Sequence, residues 1–126
     1  MENPSPIVQR QSKEAIKSAI SKSQKALIQM TGKGANTTVI EMRLKALEMG
    51  LAVLDQTWNG QPVAYTLQEL AESRVVLFGL LPALEKAYAK SKPGSPQKTL
   101  LARRLKAMEL TLQAMDKYSS DQNSVT

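Results

Sequence analysis

Residues 38–55, TVIEMRLKALEMGLAVLD, align without a gap on residues 99–116, TLLARRLKAMELTLQAMD, at an offset of 61. Eight of these 18 positions are identical: Thr38/Thr99, Arg43/Arg104, Leu44/Leu105, Lys45/Lys106, Ala46/Ala107, Glu48/Glu109, Leu51/Leu112 and Asp55/Asp116. Any two amphipathic helices share apolar positions, but periodicity alone does not also match Thr, Arg, Lys, Glu and Asp. The same offset carries Gly32-Lys33-Gly34 onto Pro93-Gly94-Ser95. It also lays Ile16, Ile20, Ser23 and Leu27 on Leu77, Leu81, Leu84 and Tyr88. Each repeat reads as one αα-hairpin. Two hairpins with short loops predict an all-α fold, an antiparallel four-helix bundle built from two duplicated αα-hairpins. A solenoid generally needs three or more repeats. With 126 residues the chain suits a single domain, 1–126, with hairpins at about 6–58 and 62–119. A polar tail at 120–126 is expected to be disordered.

Local chemistry punctuates four helices. Ser5-Pro6 offers an N-cap followed by proline at the first helical position, where its missing N–H costs nothing. Thr31-Gly32-Lys33-Gly34 ends that segment, with Gly32 suited to a left-handed cap. Thr38-Val39-Ile40-Glu41 and Thr66-Leu67-Gln68-Glu69 both match the capping box. The stripe Ile40, Leu44, Leu47, Leu51, Leu54, Trp58 runs unbroken until Asn59-Gly60-Gln61-Pro62. The third stripe, Leu67 to Tyr88, contains Pro82, which predicts a local bend. After Lys92-Pro93-Gly94, Ser95-Pro96 repeats the opening seen at Ser5-Pro6. Leu101, Leu105, Met108, Leu112 and Met115 form the last stripe. No strand-like alternation persists long enough to compete.

Two absences bound the chemistry. With no cysteine and no histidine, the chain lacks thiolate metal sites, thiol nucleophiles and the commonest general base. A di-metal bundle would want Glu-x-x-His on facing helices, which this composition forbids. Gly32-Lys33-Gly34 follows no strand, so it has no phosphate-loop context. The carboxylates Glu69/Glu72 and Glu41/Glu48 sit at cap and surface positions. No catalytic or metal-ligating residue is nominated, and no cofactor or small-molecule substrate is expected.

The net charge of +6 raises the prospect of an acidic partner. Residues 1–33 and 86–126 are net basic, whereas 34–85 is net acidic; from Lys86 to Lys106 there are seven basic side chains and no Asp or Glu. In an up-down-up-down bundle the first and third loops lie at one end. Lys33 then joins Lys90, Lys92 and Lys98 there, with Arg103 just below, as a candidate phosphate-binding patch. The alternative is routine solvation of loop and helix-end lysines. The matched pairs Arg43/Arg104 and Lys45/Lys106 are either twin basic sites or surface side chains contacting Glu48 and Glu109. Arg74 interrupts an apolar stripe, either snorkelling at its edge or pairing with Asp55 or Glu72. Val75 to Leu81 is apolar all round. Either this is the most central helix, or its outer face (Val76, Leu80 and Ala83) contacts a partner or a second copy.

Two short strings resemble known helical families. Trp58-Asn59-Gly60 resembles the WxG turn of small secreted helical hairpins. That family places the turn inside one hairpin, whereas here it would join two repeats, and no Tyr-x-x-x-Asp/Glu stands at Tyr118. Trp58 is therefore read as an aromatic capping the core. Ile16 and Ile20, followed by Arg43-Leu44-Lys45-Ala46-Leu47-Glu48, are similar in outline to the helical hairpins of retrotransposon Gag-like proteins. That outline implies a nucleoprotein role, and no family is assigned on it.

The first expectation is a non-catalytic protein–protein interaction module, homo-oligomeric or adaptor-like. The second is a basic nucleic-acid-binding, Gag-like module using the lysine-rich loop end. MENPSPIVQR lacks a secretory signal pattern, so an intracellular setting, cytoplasmic or nuclear, is expected. The longest apolar run, Val75–Leu84, is ten residues, half of the roughly 20 that a membrane span needs.

Overall fold

The computed structural model describes residues 3–123. They form α1 (Pro6–Gly32), α2 (Thr38–Asn59), α3 (Leu67–Phe78), α4 (Leu81–Lys90) and α5 (Pro96–Asn123), with no strand among the described residues. With α3 and α4 taken as one broken rod, the arrangement fits a four-helix bundle.

Several helix ends follow the local chemistry. Ser5 Oγ accepts from the Val8 N–H at 3.3 Å, with Pro6 opening α1. Thr66 and Glu69 close a reciprocal capping box at the start of α3. Ser95 Oγ accepts from the Lys98 N–H at 3.1 Å. Others differ. The capping box at Thr38 does not form: Asn36 Oδ1 accepts from the Thr38 N–H at 2.9 Å, while the Thr37 hydroxyl donates to Glu41 Oε2 at 3.1 Å. The cap therefore sits one residue earlier, at Thr37, because an Asn side chain supplied the turn first. Gly32 ends α1 as a helical residue, and the left-handed position falls on Gly34, at φ +71°. Pro82 does more than bend its helix. Phe78-Gly79-Leu80 tightens, with Leu80 N–H donating to Leu77 O at 3.0 Å, and α4 restarts with Pro82 in its first turn. Proline has no N–H and crowds the carbonyl four residues back, so the ladder breaks there.

Residues 120–123, expected in a disordered tail, continue α5; 124–126 lie outside the described residues. No Gly or Pro interrupts 97–123, and Lys117 pairs with Asp121 one turn on at 3.0 Å.

Burial identifies α2 and α5 as the centre of the fold. Met49, Val53, Leu54, Met108, Thr111 and Met115 are all essentially inaccessible, and both helices carry further buried positions. α1 and α3 each pack against both central helices, whereas α4 packs chiefly on α5 and buries no residue fully. The all-apolar stretch Val75–Leu81 is thus not in the most central helix. α2 takes that place because Ala46, Met49, Gly50 and Val53 add a second buried face beside its Leu stripe.

The pattern of burial and pairing recurs at the offset of 61. Ser12 and Ser73, Ile16 and Leu77, Ala46 and Ala107, Leu47 and Met108, Val53 and Ala114, and Leu54 and Met115 are all buried. Lys13 pairs with Asp55 across α1 and α2, and Arg74 pairs with Asp116 across α3 and α5. Gly50 faces Thr111, its own counterpart, so closely that a Cβ on Gly50 would stand 2.7 Å from Thr111 Cγ2.

Candidate functional site

Three places on the bundle combine side chains that structure alone does not require. The first is the exposed apolar surface of α2 and α3. Val39 and Met42 on α2 and Val75 and Phe78 on α3 are 59%, 52%, 70% and 57% exposed, unusual for large apolar groups. Met42 and Val76 share a groove with Lys45, Met49, Glu69, Glu72 and Ser73. Val39, Val75 and Phe78 do not line it, and Phe78 lies beside Arg74, which reaches Asp116 on α5. The floor of the groove is held from below: Ser73 Oγ donates to Met49 Sδ at 2.7 Å. Lys45 and Glu69 approach to 3.7 Å along its edge. The carboxyl of Glu69 is held below its ordinary value, first by the Thr66 N–H at 3.0 Å and then by the Thr66 hydroxyl and Lys45.

The sequence placed the outer face of this region at Val76, Leu80 and Ala83. Val76 and Leu80 instead pack half-buried against the core, and only Ala83 is exposed. The helix phase explains it. With Leu70, Ser73 and Leu77 turned inward, the residues pointing outward are Val75 and Phe78. Uniform hydrophobicity from 75 to 81 hid that phase, because no polar side chain marked the outside.

Arg74 does not pair with Asp55 or Glu72. It grips Asp116 with two nitrogens, Nε–Oδ1 at 2.5 Å and Nη2–Oδ2 at 3.1 Å, and lies over the Phe78 ring at 5.9 Å. The Asp116 contact raises the guanidinium pKa above its ordinary value. This two-point grip sets the side chain that flanks the apolar face.

The second place is the end carrying the loops after α1 and α4. Lys33, Lys90 and Lys92 are exposed there, and no acidic partner faces them among the described residues. Lys98 is half-buried with its Nζ 4.4 Å from the Tyr88 ring centre, so part of its charge is already engaged. Arg103 is exposed on the α1–α5 side, in a groove with Glu14, Lys22, Leu100 and Arg104.

The third is a cleft of about 250 Å³ walled by α1, α2, α4 and α5. Arg43 and Arg104 both border it, with Lys22, over apolar walls that include Leu47, Leu80 and Met108. The expected contacts of Arg43 and Arg104 with Glu48 and Glu109 do not form, nor does any ion pair to Lys106; Lys45 turns to Glu69 instead. Arg104 Nε is shielded from solvent and has no hydrogen-bond partner. The sequence marked Arg43 and Arg104 as a matched pair, but not that they border one cavity.

No family model, curated protein or solved structure matches this chain. Among the described residues no three carboxylates gather as a metal site, and no helix is long and apolar enough to cross a membrane.

Proposed function

We propose that this chain is a non-catalytic protein–protein interaction module, made of two duplicated αα-hairpins, that self-associates through the α2–α3 face. One observation carries the reading: Val39, Met42, Val75 and Phe78 stand more than half exposed on a bundle whose core is already closed without them. Val39 with Met42, and Val75 with Phe78, each stand three residues apart on one helix face, and exposed apolar groups of that kind mark contact surfaces in soluble proteins. The counterparts at the offset of 61 sharpen the point. They are Leu100, Arg103, Glu14 and Lys17, so the corresponding α1–α5 face is mostly charged. An apolar face present once, beside a charged equivalent, is not a by-product of the shared helical pattern. The duplication itself is supported by Gly50 facing Thr111, by the paired ion pairs and by the matched buried positions. Near a two-fold axis each residue meets its own equivalent.

Sedimentation equilibrium of the wild type and of Val75→Glu and Phe78→Glu tests the reading. The wild type is expected to oligomerise and both variants to fall to monomer with unchanged helicity, because neither side chain belongs to the core. A wild-type monomer well above micromolar concentration refutes it.

The unpaired cations Lys33, Lys90 and Lys92 favour a second reading, phosphate binding at the loop end. Salt distinguishes the two, since each phosphate contact adds about 0.7–0.9 to the log–log salt slope, while an apolar interface is not weakened by salt.

A further inference from the structure

The cleft between the hairpins has a chemistry that neither protein docking at α2–α3 nor phosphate binding at the loops uses. It exists because the helix breaks at Phe78-Gly79-Leu80. Beyond the break α4 packs mainly on α5, leaving a gap beside α2 that Leu80 and Leu84 fill only in part. Its lining is mainly apolar, with Ser23 and the cations among it, so a hydrocarbon chain bound there would remove apolar surface from water on both sides. Three cations border it, Lys22, Arg43 and Arg104, and no acidic side chain lines it. Arg104 Nε is removed from solvent and has no hydrogen-bond partner, so this guanidinium has already given up part of its hydration in the wall of the cleft. Arg43 and Arg104 occupy matched positions in the sequence, and both line this one cleft.

We propose that this cleft binds a small amphipathic carboxylate, its acid group held by Arg43 and Arg104 and its hydrocarbon chain lying against Leu47, Leu80 and Met108. Guanidinium suits a carboxylate because its planar fork donates two parallel hydrogen bonds. Size limits the chain. A cavity of about 150 Å³ accommodates the six carbons of benzene. By proportion, 250 Å³ holds a chain of roughly ten carbons. Inorganic phosphate or a nucleic-acid backbone would leave the apolar wall uncovered, and a neutral alcohol would bring one acceptor but no negative charge to the two guanidinium groups. The ligand is carried rather than converted: Ser23 is the one hydroxyl in the lining, and no carboxylate stands there to activate it.

Methyl-labelled methionine makes the test specific to the site, because Met108 lines the cleft while Met49 and Met115 are buried elsewhere in the core. The full chain is titrated with decanoate below its micelle concentration, then with decanol and inorganic phosphate. A saturable shift of the Met108 methyl signal with decanoate is expected, with binding at least about tenfold weaker for decanol and no Met108 shift with phosphate. Arg43→Gln and Arg104→Gln are each expected to weaken decanoate about tenfold or more, the loss of one charge-assisted bond. Ala83→Leu should fill the cleft and abolish binding with both arginines in place. Should Arg104→Gln prove unfolded by circular dichroism, the exposed Arg43 and the Ala83→Leu variant still decide the matter. Phe78→Glu should leave decanoate binding unchanged, separating this cleft from the α2–α3 face. No saturable shift, equal binding of decanol, or uniform shifts of every methionine would overturn the proposal, as would unaltered affinity in both arginine variants.

Discussion

Gly50→Ala is the most direct probe of how the two central helices meet. A Cβ at this position would lie 2.7 Å from Thr111 Cγ2 and 3.2 Å from Leu77 Cδ1. Neither neighbour can move freely. Thr111 is β-branched and stiff at χ1, its hydroxyl donates to Ala107 O at 2.7 Å, and Leu77 is completely buried. Overpacking a well-filled core costs ~1–3 kcal/mol. Replacing Gly by Ala inside a helix returns ~0.8–1 kcal/mol of propensity. The net is a loss of about 1 kcal/mol, or roughly 3–6 °C in Tm for a chain of this size. Thr111→Ser keeps the hydroxyl and removes the offending methyl, which alone costs ~0.5–1.5 kcal/mol by analogy with other buried methyl deletions. In the double variant the added and deleted methyls compensate, giving a coupling of about 1–2 kcal/mol towards greater stability. Urea unfolding followed by circular dichroism on the four proteins measures every corner of that cycle. If Gly50→Ala gains the full propensity term and shows no coupling to Thr111→Ser, the close crossing of α2 and α5 is not there and the reasoning fails.

Two further predictions concern acid stability and the helix break. Glu69 has its carboxyl held below the ordinary 4.5 by the Thr66 backbone N–H, the Thr66 hydroxyl and Lys45; the stability this contributes is present above the unfolded value and is lost as pH falls through the folded one. Thermal unfolding across that acid window should show a shallower loss for Glu69→Gln than for the wild type, and identical acid limbs would refute the role of the cap. Gly79→Ala combined with Pro82→Ala should fuse α3 to α4, because a Cβ at Gly79 meets only ordinary contacts, 3.4 Å from Val76 O. Amide exchange at residues 79–82 should slow, and decanoate binding should weaken as α4 realigns over the cleft; exchange as fast as in the wild type would show that the break does not depend on those two residues.

Helix content and helix order were legible in the sequence because they depend on local forces. Ser5-Pro6, Thr66–Glu69 and Ser95-Pro96 act within one turn, and the leucine stripes register at a 3.6-residue period whatever lies opposite them. The offset of 61 likewise matched Arg43 with Arg104 and Asp55 with Asp116 by position, but it did not name Lys13 and Arg74 as the cations that meet those two carboxylates. Tertiary structure decided the rest. Whether Pro82 bends or breaks its helix depends on what α4 can pack against after the break, and it packs chiefly on α5. Which side of Val75–Leu81 faces out depends on rotational phase, which an all-apolar stretch does not encode and which Leu70, Ser73 and Leu77 set by docking on the central helices. The acidic partner of Arg74 lies 42 residues away in sequence, and the cleft needs four helices to exist at all. Local hydrogen bonding and periodicity are properties of neighbouring residues and can be read along the chain. Rotational phase, ion-pair choice and cavities arise from side chains competing for the same space, and only the packed bundle resolves that competition.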